Sequence, residues 1–318
     1  MQKLHLEFLH QLAASTARAV LPLWGAGDKD MADGVCVHHL RQGFDKAPFQ
    51  AKVIIGEGEK DNAPALYRGE MVGDKNTEWL YDLAIDPLEC TSFFAHGLGN
   101  SLVVLALSPK NTMMDCGKSY YMDKIALPPY AKGKIDKKFL NGELNYETFL
   151  PHLADILEKK TKDLVIYLLD KHRHSNIKQA IIKHGARMIA IPAGDIAGAV
   201  LAISENKFMH QPKVDALLGV GGSPEGVVNA MIAKILKGEF LARFAPQSND
   251  EKKILEKENY DFTKWYQTDD FIKTDDEKNM AVILTGITDG MLLQGVSPKK
   301  INSLIINNGT AVDISIAL

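Results

Sequence analysis

The stretch Tyr81-Asp82-Leu83-Ala84-Ile85-Asp86-Pro87-Leu88-Glu89-Cys90-Thr91 carries the densest chemistry in the sequence. Side chains alternate between the two faces of a strand, so Trp79, Tyr81, Leu83 and Ile85 share one face and Asp82, Ala84 and Asp86 the other. Strand interiors are poor in Asp, which makes Asp82 and Asp86 conspicuous. Pro87 is expected to end the strand, and Glu89 and Thr91 follow on the turn. Oxygen-bearing side chains thus gather at a strand's C-terminal end, where open α/β sheets take their ligands. Carboxylates held this close repel one another unless a cation sits between them, and hard oxygen donors select Mg²⁺ or Mn²⁺. The plain alternative is a solvated acidic turn in which Asp86 caps a helix.

Other groups fit the same chemistry. Glu57 and Glu59 flank Gly58 directly after a predicted strand, where glycine lets the backbone approach an ion. Asp33 lies in a predicted helix, and an ordinary surface pair with Lys29 is its plain reading. Glu225 stands just inside a helix start after Gly221-Gly222-Ser223-Pro224, a turn that also suits a phosphate. Lys171-His172-Arg173-His174 follows an apolar strand and offers a bidentate phosphate partner in Arg173. Tyr121 is a hydrogen-bond donor at the start of a predicted strand. Asp195 is either an acceptor for sugar hydroxyls or the N-cap of the helix after it.

Alternating patterns predict the elements that hold these groups. Helices are expected near the N-terminus, with Leu4, Phe8, Leu12 and Ser15-Thr16 on successive turns, and over 28–44, with Ala32, Val35, Cys36, His39 and Leu40 inward. Strands are expected over 52–55, 78–86, 101–107 and 121–127. From about residue 146 strands and helices alternate: helices 146–160, 175–184, 195–204 and 224–236, strands 164–169, 187–191 and 214–220. That rhythm predicts an α/β class with a largely parallel second sheet. A charged helix is expected over 251–260, and late strands over 280–284 and 304–306. The expected domain division is 1–150, carrying most acidic ligands, and 151–318, carrying the basic group and Glu225.

The 318 residues are enough for about two domains. Forty acidic against thirty-seven basic residues, net charge −3, leave no overall basic field for nucleic acid or an anionic membrane. No apolar run approaches a membrane span. Three cysteines without a CxxC pair argue against a disulfide framework or a zinc-thiolate site and for a reducing cytoplasm.

The motifs Ile55-Gly56-Glu57-Gly58-Glu59 with Asp61, Ala63-Pro64, Leu66 and Gly69-Glu70, then Asp86-Pro87-Leu88-Glu89-x-Thr91, Lys171-x-Arg173-His174, Gly194-Asp195, Gly219-x-Gly221-Gly222-x-Pro224-Glu225-Gly226-Val227-Val228 and Thr285-Gly286-Ile287-Thr288, stand in one order along most of the chain. In these the sequence resembles the class II (GlpX-type) fructose-1,6-bisphosphatases of the lithium-sensitive sugar and inositol phosphatase superfamily. The resemblance implies a layered α/β/α/β/α sandwich with the site between two domains, and a homodimer or homotetramer. It implies hydrolysis of the 1-phosphate of fructose 1,6-bisphosphate, a gluconeogenic step, with two or three Mn²⁺ or Mg²⁺ ions. Carried over by position, its metal ligands fall on Asp33, Glu57, Asp86, Glu89 and Glu225, with Asp82 a further candidate from the strand pattern alone. Thr91 takes the catalytic position, orienting water beside a carboxylate base such as Asp33 or Glu57. Substrate contacts fall on Glu89, Cys90, Thr91, Tyr121, Lys171, His172, Arg173, Ala193, Gly194, Asp195 and Gly222.

Two positions depart from the family pattern: Cys90 replaces a usual glycine and His172 a common proline. If position 90 needs a positive φ, cysteine is strained there. Rival readings are a sedoheptulose-1,7-bisphosphatase or inositol-phosphate phosphatase, a non-catalytic sugar-phosphate sensor, and a dinucleotide-binding oxidoreductase built on Gly219-x-Gly221-Gly222.

Overall fold

In a computed structural model, which describes residues 1–56, 65–204 and 213–317, the chain is mixed α/β and divides into two compact units. Met1–Asp115 with Ile272–Leu318 make the first, and Cys116–Phe271 the second. These bounds differ from the 1–150 and 151–318 division. Strand 121–127 pairs within the second unit, and the chain after 272 returns to pair with the first sheet. Strand partners far apart in sequence leave no linker signal to read.

The first unit opens with α1 (Lys3–Val20) and α2 (Lys29–Phe44). The buried stripe of α1 is His5, Leu9, Leu12, Ala13, Thr16, Ala17 and Val20, one position later than the expected Leu4 and Phe8, and Leu4 is exposed. Asp28 caps α2, its carboxylate accepting from Met31 N. The surface pair of Lys29 with Asp33, the plain alternative to a ligand role, does not form; Lys29 lies near Asp30 instead. Next come β1 (Gln50–Ile55), the short β2 (Met71–Gly73), β3 (Trp79–Glu89), α3 (Thr91–Ala95) and β4 (Leu102–Pro109). Leu83 and Ile85 of β3 enter one apolar core with Leu9, Leu12, Leu40 and Phe44, so α1 and α2 cover that face.

The second unit runs through β5 (Tyr121–Leu127), α4 (Tyr146–Ile156), β6 (Val165–Leu169), α5 (Ser175–Lys183), β7 (Arg187–Ile191), α6 (Asp195–Ile203), β8 (Ala216–Gly222), α7 (Ser223–Leu236), β9 (Glu239–Phe244), α8 (Asn249–Lys257) and β10 (Tyr266–Gln267). Its strand order is β10-β9-β5-β8-β6-β7. Among the described residues the parallel pairings are β7–β6 and β6–β8, while β8–β5, β5–β9 and β9–β10 pair antiparallel. The largely parallel sheet expected from the helix–strand rhythm is therefore mixed, because β5 precedes the alternating segment and β9 follows it. Ile125, Ile166, Leu168 and Leu218 face α4 and α5. The opposite face, with Lys124 and Tyr167, meets α7 at Gly226 and α6 at Gly198.

The chain then returns as β11 (Ala281–Gly286), β12 (Lys300–Asn307) and β13 (Thr310–Ala317), completing the first sheet in the order β13-β12-β11-β4-β3-β1-β2. Among the described residues no helix is long and apolar enough to cross a membrane, and Cys36, Cys90 and Cys116 form no disulfide.

Candidate active site

In the first unit the acidic stretch lies where strand becomes helix. β3 does not end at Pro87. It continues to Glu89 with a register shift against β4 between Asp86 and Glu89. A bulge frees one residue from the ladder, which is where a strand tolerates proline. The irregularity brings Asp86, Glu89 and Thr91 onto one short bend. Asp86 does not act as a helix cap; its Oδ1 accepts from Leu88 N at 3.2 Å within the bend. Glu89 is buried, while Asp86 and Thr91 are half-buried. Thr91 Oγ1 donates to Leu88 O at 2.8 Å. Its proton is thereby committed, so the hydroxyl meets a further partner as an acceptor.

Cys90 has φ 65° and ψ 38°, the left-handed conformation anticipated for a position usually held by glycine. The backbone reverses there so that α3 starts immediately at Thr91. The segment before α2 is stitched to α3 by Gly25 N to Phe94 O and Gly27 N to Ala95 O, at 3.0 and 2.8 Å. α2 also packs on β3 and α3. Asp33, half-buried in the first turns of α2, is thus carried by a helix anchored to the Thr91 segment. β1 runs parallel to β3, with Ile55 opposite Ala84, and ends two residues before Glu57. Glu57, with Glu59 and Asp61, lies outside the described residues.

Asp82 belongs to a different task. It is fully buried, and its Oδ2 accepts from Thr112 N and Met113 N at 2.8 and 2.9 Å. Four residues upstream of Asp86, that oxygen fastens the loop after β4, while the buried Oδ1 makes no hydrogen bond among the described residues.

The second unit gathers a second cluster at the β8–α7 turn. Lys124 is completely buried, and its Nζ lies 2.6 Å from Asp195 Oδ2. Asn229 Nδ2 donates to Asp195 Oδ1 at 3.2 Å. With both oxygens engaged, Asp195 is not the N-cap of α6; Gly194 is, at φ 91°. Each carboxylate oxygen keeps a further lone pair, and the helix-start N–H at position 195 is a group that can meet an anion. Glu225 is half-buried, and burial pushes its carboxyl upward against the pull of the Lys124 ammonium, with Asp195 adding to the rise.

The glycines of this turn now have a physical reason. A methyl group at Gly221 would stand 1.8 Å from Asp195 Oδ2, and one at Gly222 would stand 1.9 Å from Glu225 Oε2. The space a dinucleotide-binding turn reserves for pyrophosphate is here filled by two carboxylates, which disfavours the oxidoreductase reading.

Arg173 spends part of its fork on the protein itself. Its Nε and Nη2 both donate to Val220 O, at 3.1 and 2.9 Å, while the guanidinium stacks 5.1 Å from the Tyr121 ring centroid. A guanidinium carries five N–H donors, so the remaining ones stay available to phosphate. His174 Nε2 accepts from Val220 N at 2.7 Å and its Nδ1 donates to Leu169 O at 2.6 Å, fixing a neutral tautomer. Burial pulls its pKa down. Lys171 and His172 are exposed. Ala193 and Gly194 are half-exposed on the turn into α6.

Sequence reasoning missed Lys124 and Asn229 as parts of this cluster, and named His174 only as part of the basic tetrad. Lys124 had a readable signal: a lysine inside the apolar strand Tyr121-Met122-Asp123-Lys124-Ile125-Ala126-Leu127 is out of place unless paired. Its partner lies 71 residues away, which no spacing reveals.

The chemistry of the first-unit donors, all oxygen, fits a hard divalent cation. Among the described residues, however, no group of three or more His, Cys, Asp or Glu stands close enough to hold one. One sequence-predicted ligand, Glu57, lies outside the described residues.

Three comparisons set the sequence among known proteins. The chain is 35% identical over 302 residues to fructose-1,6-bisphosphatase class 2 of Haemophilus influenzae, covering 91% of this chain and 86% of that protein. It is 35% identical over 311 residues to fructose-1,6-bisphosphatase 1 class 2 of Escherichia coli K12, covering 94% and 88%. Solved structures give only loose likenesses. The extragenic suppressor protein suhB of Bartonella henselae has TM-score 0.33 and 11% identity over 64% of this chain and 70% of that one. A Thermotoga maritima IMPase has TM-score 0.31 and 13% identity over 63% and 73%. The model of the glpX-encoded bacterial fructose-1,6-bisphosphatases matches residues 2–311, and the chain belongs to that family.

Proposed function

We propose that the protein hydrolyses the 1-phosphate of fructose 1,6-bisphosphate, releasing fructose 6-phosphate and inorganic phosphate. The observation that carries the reading is the bulged end of β3, which delivers Asp86, Glu89 and Thr91 in one bend within a chain of this family. Membership of the family implies a divalent cation, and Mn²⁺ or Mg²⁺ suits the oxygen donors. Asp33, Asp86 and Glu89, with Glu57 and Glu225 by sequence position, would hold two or three such ions. A bound divalent cation supplies charge neutralisation on the phosphoryl oxygens and a lowered pKa for bound water.

The protein's own groups do the rest. Thr91, its proton donated to Leu88 O, accepts from the attacking water and points the water's lone pair at phosphorus. A carboxylate base, Asp33 or Glu57 by sequence position, takes the water's other proton as the P–O1 bond breaks, and the leaving sugar alkoxide takes a proton from solvent; the threonine hydroxyl is too weak an acid–base group for that alone. A proton relay through Thr91 would require its O–H to turn away from Leu88. Arg173, steadied by Val220 and stacked on Tyr121, presents its spare N–H groups to the phosphate that is not cleaved, with Lys171 adding charge. The N–H groups at the start of α6, after Ala193-Gly194, are further anion donors. Gly222 keeps room for Glu225, and Cys90 replaces glycine beside the reacting ester.

The test is phosphate release from fructose 1,6-bisphosphate with and without Mn²⁺, run beside sedoheptulose 1,7-bisphosphate, inositol phosphate and a nicotinamide dinucleotide titration. Metal-dependent release, fastest from fructose 1,6-bisphosphate, is expected; no release from it sinks the reading. Asp33→Asn and Glu225→Gln should each shift the Mn²⁺ activation curve to higher concentration, and an unchanged curve in both removes them as ligands.

A further inference from the structure

Lys124 is the least expected charged group in the second unit. It lies on β5 in the middle of a sheet, between β8 and β9, with no exposure to solvent. Burying an ammonium costs several kcal/mol, and a buried ion pair is often no more stable than an apolar pair of similar shape. Stability alone therefore does not account for it.

The surroundings are built for this side chain. A methyl group at Gly221 would stand 3.1 Å from Lys124 Nζ, and one at Gly226 would stand 3.4 Å from its Cε. Gly221 near the end of β8 and Gly226 in the first turns of α7 thus leave the slot in which the ammonium lies. What it holds is the start of α6. That helix has no side-chain N-cap and begins after a left-handed Gly194. Its first residues are fixed by three tethers from three elements. Tyr167 OH on β6 donates to Gly194 O at 2.7 Å, Asn229 on α7 donates to Asp195 Oδ1, and Lys124 on β5 holds Asp195 Oδ2 at 2.6 Å. Of the three only Lys124 brings a full charge. Its own strand begins at Tyr121, whose ring stacks on Arg173.

We propose that Lys124 is a positioning residue of the phosphatase reaction: through Asp195 it holds the N–H groups at the start of α6 in register with the Arg173–Tyr121 pair, so that one sugar bisphosphate meets both. This rests on the phosphatase reading. The ion pair serves as a strut between the strand that carries Tyr121 and the turn that carries Gly194. The energy of burying the charge goes into geometry. A displacement of about 1 Å at a binding group can cost on the order of 100-fold in rate.

The experiment compares wild type, Lys124→Met and Lys124→Met/Asp195→Leu for thermal midpoint, KM and kcat on fructose 1,6-bisphosphate, well below each midpoint. The single variant leaves Asp195 buried without its cation and is expected to melt earlier. The double variant replaces the pair by apolar groups and is expected to recover most of that midpoint. In both, KM is expected to stay raised about tenfold or more with kcat within about threefold, because the strut is gone whether or not the core is repaired. If the double variant recovers KM together with the midpoint, Lys124 is a core residue and the proposal is overturned; a wild-type KM in a folded single variant overturns it equally. A wild type inactive on fructose 1,6-bisphosphate fails at an earlier step, and it takes both the phosphatase reading and this inference with it.

Discussion

Cys90→Gly isolates one backbone conformation at the C-terminal end of β3. At φ 65° and ψ 38° a cysteine sits in the left-handed region, which costs an L-residue roughly 1–2 kcal/mol. Glycine removes that penalty but adds roughly 0.5–1 kcal/mol of unfolded-chain entropy. The net expectation is a gain of roughly 0.5–1 kcal/mol, or about 1–4 °C in thermal midpoint at the roughly 2–4 °C per kcal/mol seen for units of this size. Differential scanning calorimetry on the wild type, Cys90→Gly and Cys90→Ala separates backbone from thiol. Alanine keeps the Cβ and the strain, so Cys90→Ala should show no such gain. A midpoint for Cys90→Gly below that of the wild type, or an equal rise in Cys90→Ala, refutes the strain argument. Phosphate release by Cys90→Gly should equal or exceed that of the wild type. A collapse in turnover would show that the thiol itself takes part.

Three further outcomes follow from the same geometry. Thr91→Ala should lower kcat by about 100-fold or more, the range of a lost positioned acid–base partner. It should leave the thermal midpoint nearly intact, since one hydrogen bond to Leu88 O contributes only about 1 kcal/mol; near-normal kcat would remove the assigned role. Gly222→Ala pushes on the far end of Glu225, which can swing, so calorimetry should show little change while the Mn²⁺ requirement rises. Gly221→Ala pushes instead on Asp195, pinned by Lys124, and should destabilise by about 1–3 kcal/mol; equal midpoints for the two variants would contradict the packing. Burial pulls the pKa of His5, His10 and His174 down in the folded state. The folded protein therefore binds fewer protons, and stability is fully present above the ordinary imidazole value of about 6.5 and lost as pH falls through it toward the lower folded values. Thermal midpoints should fall between pH 7.5 and 5.5, and less steeply in His174→Gln if that imidazole contributes.

The sequence by itself determined the chemistry-bearing positions and most of the elements that carry them. Asp86-Pro87-Leu88-Glu89-x-Thr91 is local: strand alternation, a proline and the following turn are set by neighbours in the chain. The helix over 29–44 and the strands of the alternating segment are legible for the same reason, since periodicity reports which face is buried. The left-handed turn at Cys90 was also foreseeable, because a side chain in a glycine position betrays the φ required there. Tertiary structure decided what long-range pairing decides. β3 runs past Pro87 because β4 accommodates a bulge there. One oxygen of Asp82 is spent on the amides of Thr112 and Met113, about thirty residues on, a partnership no local pattern shows. The unit boundaries depend on β5 and β11 choosing partners far along the chain. Lys124 is out of place in an apolar strand, but its partner Asp195 is identified only when α6 is laid across β5. Local patterns fix what a residue can do; only the partner brought by the fold fixes whether its charge is spent on structure or left for a substrate.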